Sequence, residues 1–427
     1  MKTFIKLIFL GIVTAITWQY LENNNINIKD KLAEAAEWIY DKLKEIESSS
    51  DEKEITEEDS NSVFPDEPGT TASYQKSRSA YSGIEHPDNT TIYNEAEIKV
   101  DAAPEWTGDE VEWVKAATSE YSPDSWYLLM QYDSLPEYDK AELTDGLTSS
   151  SHKSTSTFHY LEGSTRTDLI SSMSIDVHEI AHGYYSRNTF RYAREKNLKL
   201  NWDNAEGFLY LSPEKYYFLS FPLKHLFPSR KIAGAIPQNL RTFRFDTYIE
   251  GNTSTQQNGI FGLLNEMHAY YLGSRHSYDM IEAFKLAEGS DEDGLISWIR
   301  HCQSEMAAFY EFDYFIREYL LLMKAEYSPG YVALKSYDTF RHAYSYVRTS
   351  YLNLTEDYQR RIDSEIEKMN NSGSSEAAVV EGKLWIRNKA TGRSNGITIF
   401  SEDRETLLPI LTSDRYNILF QDFKGIE

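Results

Sequence analysis

The stretch His178-Glu179-Ile180-Ala181-His182 constrains this chain more than any other, because its two imidazoles stand one helical turn apart. It sits inside an apolar-periodic segment, Ile170, Met173, Val177, Ile180, Ala181 and Tyr184, which predicts a helix capped by Asp168 or by Thr167 before it. Two imidazoles on one helix face converge on a single cation, and Glu179 beside them can reach a water at that cation. Gly183 follows the motif, where the chain can bend or admit close packing.

Further ligands must come from elsewhere in the sequence. The 427 residues include one cysteine, Cys302, so an intrachain disulfide and a cysteine-ligated zinc ribbon are both excluded. Cys302 itself reads as a small buried apolar residue. The metzincin extension of the motif needs Gly at 185 and His at 188, but these positions are Tyr185 and Asn188. Downstream, Gly259 to Tyr271 predicts a second apolar helix with Asn265-Glu266 at its centre. A carboxylate amid Leu263, Leu264, Met267 and Ala269 is costly to bury unless it is paired or metal-bound, which makes Glu266 the third-ligand candidate. His268, two positions on, points to a different face, and His276 falls past the expected helix end; both stay as alternatives.

An HEIAH motif followed by a downstream Asn-Glu on a helix resembles the gluzincin group of zinc metallopeptidases, which includes the thermolysin-like enzymes. The resemblance covers two helices. It implies one Zn2+ held by His178, His182 and Glu266, with Glu179 as general base, a zincin-like catalytic domain with a small edge sheet, and a peptide or protein substrate. It also implies that Asn265 supports one ligand histidine. There are two departures. Residues 183–265 separate the motifs, a longer spacing than in thermolysin-like enzymes, and Tyr270 stands where those enzymes carry an Asp that supports the other histidine. That histidine then needs a backbone carbonyl or Tyr270 itself as its partner. Tyr270, Tyr271, Arg275 and His276 lie near enough in sequence to be considered as oxyanion stabilisers, with none assigned.

Upstream of the motif, Lys153 to Leu161 alternates Thr155, Thr157, His159 and Leu161 with Ser156, Phe158 and Tyr160, which reads as a strand. In zincin-like folds such an edge strand takes substrate by strand addition. The polar run from Asn252 to Asn258 is a candidate cleft loop.

The expected fold class is α+β, mainly α. Residues 1–20 read as a signal peptide or membrane anchor. The apolar run from Leu7 to Trp18 would span about 18 Å as a helix, short of a hydrocarbon core of roughly 30 Å, and Val13-Thr14-Ala15 offers a cleavage site. The expected location is therefore outside the cytoplasm, secreted or envelope-associated, with a membrane tether if the segment is retained. Residues 21–47 carry an amphipathic stripe, Ile28, Leu32, Ala35, Ile39, Leu43 and Ile46, and residues 48–103 form an acidic low-complexity linker.

The catalytic domain is expected over 104–370. Thr107 caps a first helix with Val111, Val114 and Ala117, Ser122-Pro123-Asp124 starts a segment through Trp126 to Tyr132 that reads as helix or strand, and residues 277–370 form a helical bundle. A flexible break at Asn370 to Ser375 leads into a small β-rich module, 371–427, with β-like runs at Val379 to Arg387, Gly396 to Phe400 and Tyr416 to Phe420. A net charge of −24 sets nucleic acid aside as a partner. The alternative to a peptidase is a catalytically inactive, metal-bearing binding protein of the cell surface, suggested by the long spacer, the β module and Tyr270.

Overall fold

The computed structural model describes residues 109–423, apart from 213–214 and 252. The expected leader, amphipathic helix, acidic linker and Thr107 cap lie outside the described residues. What is described is α+β and mainly α, with small antiparallel sheets. No helix among the described residues is long and apolar enough to cross a membrane.

The order is α1 (Glu110–Tyr121), α2 (Pro123–Asp133), the hairpin β1 (Tyr138–Glu142) and β2 (Thr148–His152), then α3 (Arg166–Glu195). A second hairpin follows, β3 (Asn204–Ser212) and β4 (Lys215–Pro222), and short turns lead to α4 (Ile260–Asp279) and α5 (Ile281–Glu288). The long helix α6 (Asp291–Glu326), α7 (Ser328–Lys335) and the long α8 (Asp338–Ser372) come next. The chain closes with the meander β5 (Ser375–Val380), β6 (Lys383–Asn388) and β7 (Ser394–Thr398), then α9 (Glu402–Leu411) and α10 (Asn417–Asp422).

Several local expectations change. Asp109 caps α1, accepting from the amides of Val111 and Glu112. Trp126 to Tyr132 is helical, because Pro123 at the first turn starts α2. The helix of the HEIAH motif is capped by Thr165, whose hydroxyl accepts from the Asp168 amide, so Asp168 and Thr167 lie inside it. Gly183 does not bend α3; a side chain there would collide with the Tyr132 ring, so the glycine admits α2 instead.

Lys153 to Leu161 is not a strand. It has no partner strand, and its amides at Phe158 and Tyr160 go to the Asp176 carboxylate. At the other end of the chain, α8 runs through the expected break to Ser372 and stops at Gly373, whose φ of 76° is the left-handed helix cap that favours glycine. Val379 to Arg387 is two strands joined at Glu381-Gly382, and Tyr416 to Phe420 is helical rather than β, since Tyr416 and Leu419 bury on one side against α6. The C-terminal segment is thus β followed by α, and its Leu384, Ile386, Leu407, Leu411 and Phe423 belong to the same continuous core as α3, α4 and α6.

His276 lies inside α4, fully buried, with neither ring nitrogen hydrogen-bonded. Burial, aided by nearby His301, holds its imidazole down at about 3. The folded state therefore keeps it neutral, while the unfolded chain takes up a proton below about pH 6.5, so stability is lost as pH falls from there toward 3. His276→Met removes this term. In urea unfolding its stability relative to wild type is expected to be about 2 kcal/mol more favourable at pH 5 than at pH 7.5. An equal difference at both pH values would contradict the assignment.

Candidate metal centre

The two helices that carry the centre cross closely. A Cβ on Gly273 of α4 would sit 2.8 Å from the Ser174 carbonyl oxygen of α3, so only glycine permits this approach. It places the middle of α4 against the HEIAH turn.

There His178, His182 and Glu266 meet. His178 Nε2 and His182 Nε2 are 3.1 Å apart, His182 Nε2 and Glu266 Oε2 3.1 Å, and His178 Nε2 and Glu266 Oε2 3.8 Å. The two imidazoles are set edge to face, with ring centroids 4.7 Å apart at 81°. His178 and Glu266 are both buried. A point about 2 Å from all three atoms lies within this triangle, which matches the reach of zinc to His nitrogen and carboxylate oxygen. Three lone-pair-bearing atoms facing one another inside a protein repel unless a proton or cation lies between them. The group can hold a metal ion. Two nitrogens and one oxygen suit a transition metal or zinc better than calcium or magnesium, which favour all-oxygen shells.

The electrostatics separate the two imidazoles. Burial first, then His182 and Arg244, hold the His178 imidazole well below its usual value and keep it neutral, the form that binds metal. Burial alone pushes His182 down, but Glu266, supported by Glu179 and Asn265, outweighs it and the net shift is upward. Asn265 lies within electrostatic range of His182, but neither His182 Nδ1 nor Asn265 Oδ1, both buried, has a hydrogen-bond partner, so the support that the resemblance implied is not made.

Glu179 is half-buried beside the triangle and supplies none of its corners. Burial raises its carboxyl, His182 opposes that, and the Glu266 and Asp176 carboxylates add to the rise. Ile175, half-exposed one turn earlier, shares its face.

The other candidates are placed elsewhere. Tyr270 touches His178 through its ring, centroids 4.4 Å apart, but its hydroxyl pairs with Tyr248 at 3.0 Å rather than serving the imidazole. His268 is turned away and bonds the Tyr210 carbonyl. Tyr271 packs on Tyr351, Arg275 pairs with Asp279, and His276 is in the core, so none of these three reaches the centre.

Thr255 is a residue that sequence reasoning missed. Its hydroxyl donates to Glu266 Oε1 at 2.9 Å, leaving Oε2 for the triangle. The only sequence signal was the polar run 252–258, of which Ser254–Asn258 forms a short turn that brings Thr255 to the site. Gly262 makes the contact possible, because a Cβ there would lie 1.9 Å from the Thr255 carbonyl oxygen. Gly262→Ala is expected to push this turn away and weaken metal affinity by about 10- to 100-fold, as is Thr255→Val. Competition with a chelating indicator, using Zn2+ as probe, measures this, and unchanged affinity in both variants would refute it. Tyr248, Asp176 and the turn at Phe158 were also missed, for they carry no motif.

No family model, curated protein or solved structure matches this chain.

Proposed function

We propose that this chain is an exported, zinc-dependent peptidase of gluzincin type on a zincin-like scaffold. The observation that carries the reading is the triangle of His178, His182 and Glu266 with a half-buried carboxylate, Glu179, next to it on the same helix. A metal-storage or purely structural site has no use for that fourth, unligated acid.

Zinc, when bound, supplies Lewis acidity toward a water and a peptide carbonyl. Glu179 would accept the proton of the attacking water and return it to the leaving amine nitrogen, so the carboxylate is regenerated each cycle. His178 and His182 would hold the metal through neutral imidazoles, which for His182 requires the cation to take the place of the proton it shares with Glu266. Thr255 holds the Glu266 carboxylate in place, which limits reorganisation during the reaction.

The test uses the purified full chain. About one zinc per chain is expected, and Glu266→Ala should lose most of it under the same dialysis. Wild type should also cleave members of a quenched-fluorescent peptide library. Wild type without zinc would sink the reading, and a zinc-loaded protein inert on the library would favour the inactive binding protein.

A further inference from the structure

We propose that the turn at Thr157–Tyr160 is a substrate-positioning wall beside Glu179, in which Tyr160 contacts the peptide and Asp176 is the positioning residue that holds the turn. This rests on the peptidase reading above.

The first observation is strain. Phe158 has a φ of 65°, the left-handed region, which a bulky aromatic residue adopts only at a cost of roughly 1–2 kcal/mol. Such conformations persist where the surroundings over-determine them. Here they do. The Phe158 ring packs on Trp126, centroids 6.0 Å apart, and the Lys115 ammonium sits 4.8 Å from its centre.

The second is the carboxylate beneath. Asp176 is fully buried and accepts the Phe158 amide at 2.8 Å and the Tyr160 amide at 3.2 Å. On either side, Tyr132 donates its hydroxyl to the Thr155 carbonyl and the Glu162 amide donates to Ser172 Oγ. The segment is therefore fastened along the flank of α3. An ordinary surface connection needs neither a buried acid nor a left-handed phenylalanine.

The third is what this fixes. Asp176 and Glu179 are three residues apart and neighbours on α3. Tyr160, tied to Asp176 by its backbone amide, is half-buried within electrostatic reach of the Glu179 carboxylate. A peptide lying along α3 toward Glu179 meets this ring, which offers an apolar face to a side chain and a hydroxyl to a peptide group.

Two probes of the zinc-loaded full chain separate this from a general effect. Acetohydroxamate carries a metal-binding group alone; a phosphinic pseudopeptide with phenylalanyl side chains also occupies the flanks. Tyr160→Ala is expected to weaken the pseudopeptide about tenfold, with acetohydroxamate affinity and zinc content unchanged, while Tyr160→Phe retains most of the affinity. Asp176→Asn, which sets an amide donor against a backbone N–H, should reproduce the Tyr160→Ala loss and speed hydrogen exchange at the 158 and 160 amides. Wild-type pseudopeptide affinity in Tyr160→Ala overturns the proposal, as does equal weakening of both probes, and Tyr160→Ala remains decisive if Asp176→Asn fails to fold. A wild-type protein that binds neither zinc nor acetohydroxamate instead removes the peptidase reading, and this proposal with it.

Discussion

Glu179→Gln is expected to lower kcat by about 10²- to 10⁴-fold while leaving the zinc content of the protein intact. Gln keeps the size and polarity of the side chain but cannot take a proton. The metal should stay because Glu179 is not a corner of the triangle formed by His178, His182 and Glu266. Burial, with the Glu266 and Asp176 carboxylates against the opposing His182, raises its carboxyl above the usual carboxylate range. The measurement is a pair: metal content by elemental analysis and turnover on a library-derived peptide. A variant that keeps a tenth or more of wild-type turnover removes Glu179 as the base. One that loses zinc as well places Glu179 among the ligands.

The second large effect lies away from the site. Asp313 on α6 is fully buried and bonds Arg317, Arg348 and Tyr344, at 2.7, 3.0 and 2.6 Å. Burial alone raises its carboxyl, yet the two guanidinium groups and the phenol win and hold it below the usual range. Arg317 also donates to the Leu411 carbonyl and lies over the rings of Tyr416 and Phe420, so the network ties the C-terminal helices to α6. Asp313→Asn removes the carboxylate charge that two buried guanidinium groups share. The expected loss is about 3–5 kcal/mol, a large share of the roughly 5–15 kcal/mol that holds a domain folded. Urea unfolding measures it, and a loss under about 1 kcal/mol would show that water or other groups compensate the two arginines.

Local pattern and tertiary context divide the expectations cleanly. The apolar spacing around His178 and around Glu266 predicted both metal-centre helices, because a helix that buries one face must repeat its apolar residues at three and four positions. The same rule read the long helices of residues 291–372. It failed at Lys153 to Leu161, where alternation was present but no second strand stood alongside, and at Tyr416 to Phe420, where aromatic residues pack a short helix rather than a sheet. The hairpins β1–β2 and β3–β4 were not read at all, since their register depends on partners across a turn.

By itself, the sequence determined the first two ligand candidates, the carboxylate proposed as base between them and the ligand chemistry available, because residues one helical turn apart share a face whatever surrounds them. It also marked Glu266 as a buried acid in need of a partner. Only the tertiary structure decided that Glu266 meets the two histidines, that Thr255 braces Glu266, and that Tyr270 packs a ring against His178 instead of accepting its proton. The physical reason is the helix crossing. Gly273 against Ser174 and Gly262 against Thr255 set distances between segments far apart in the chain, and no local periodicity encodes how closely two backbones approach.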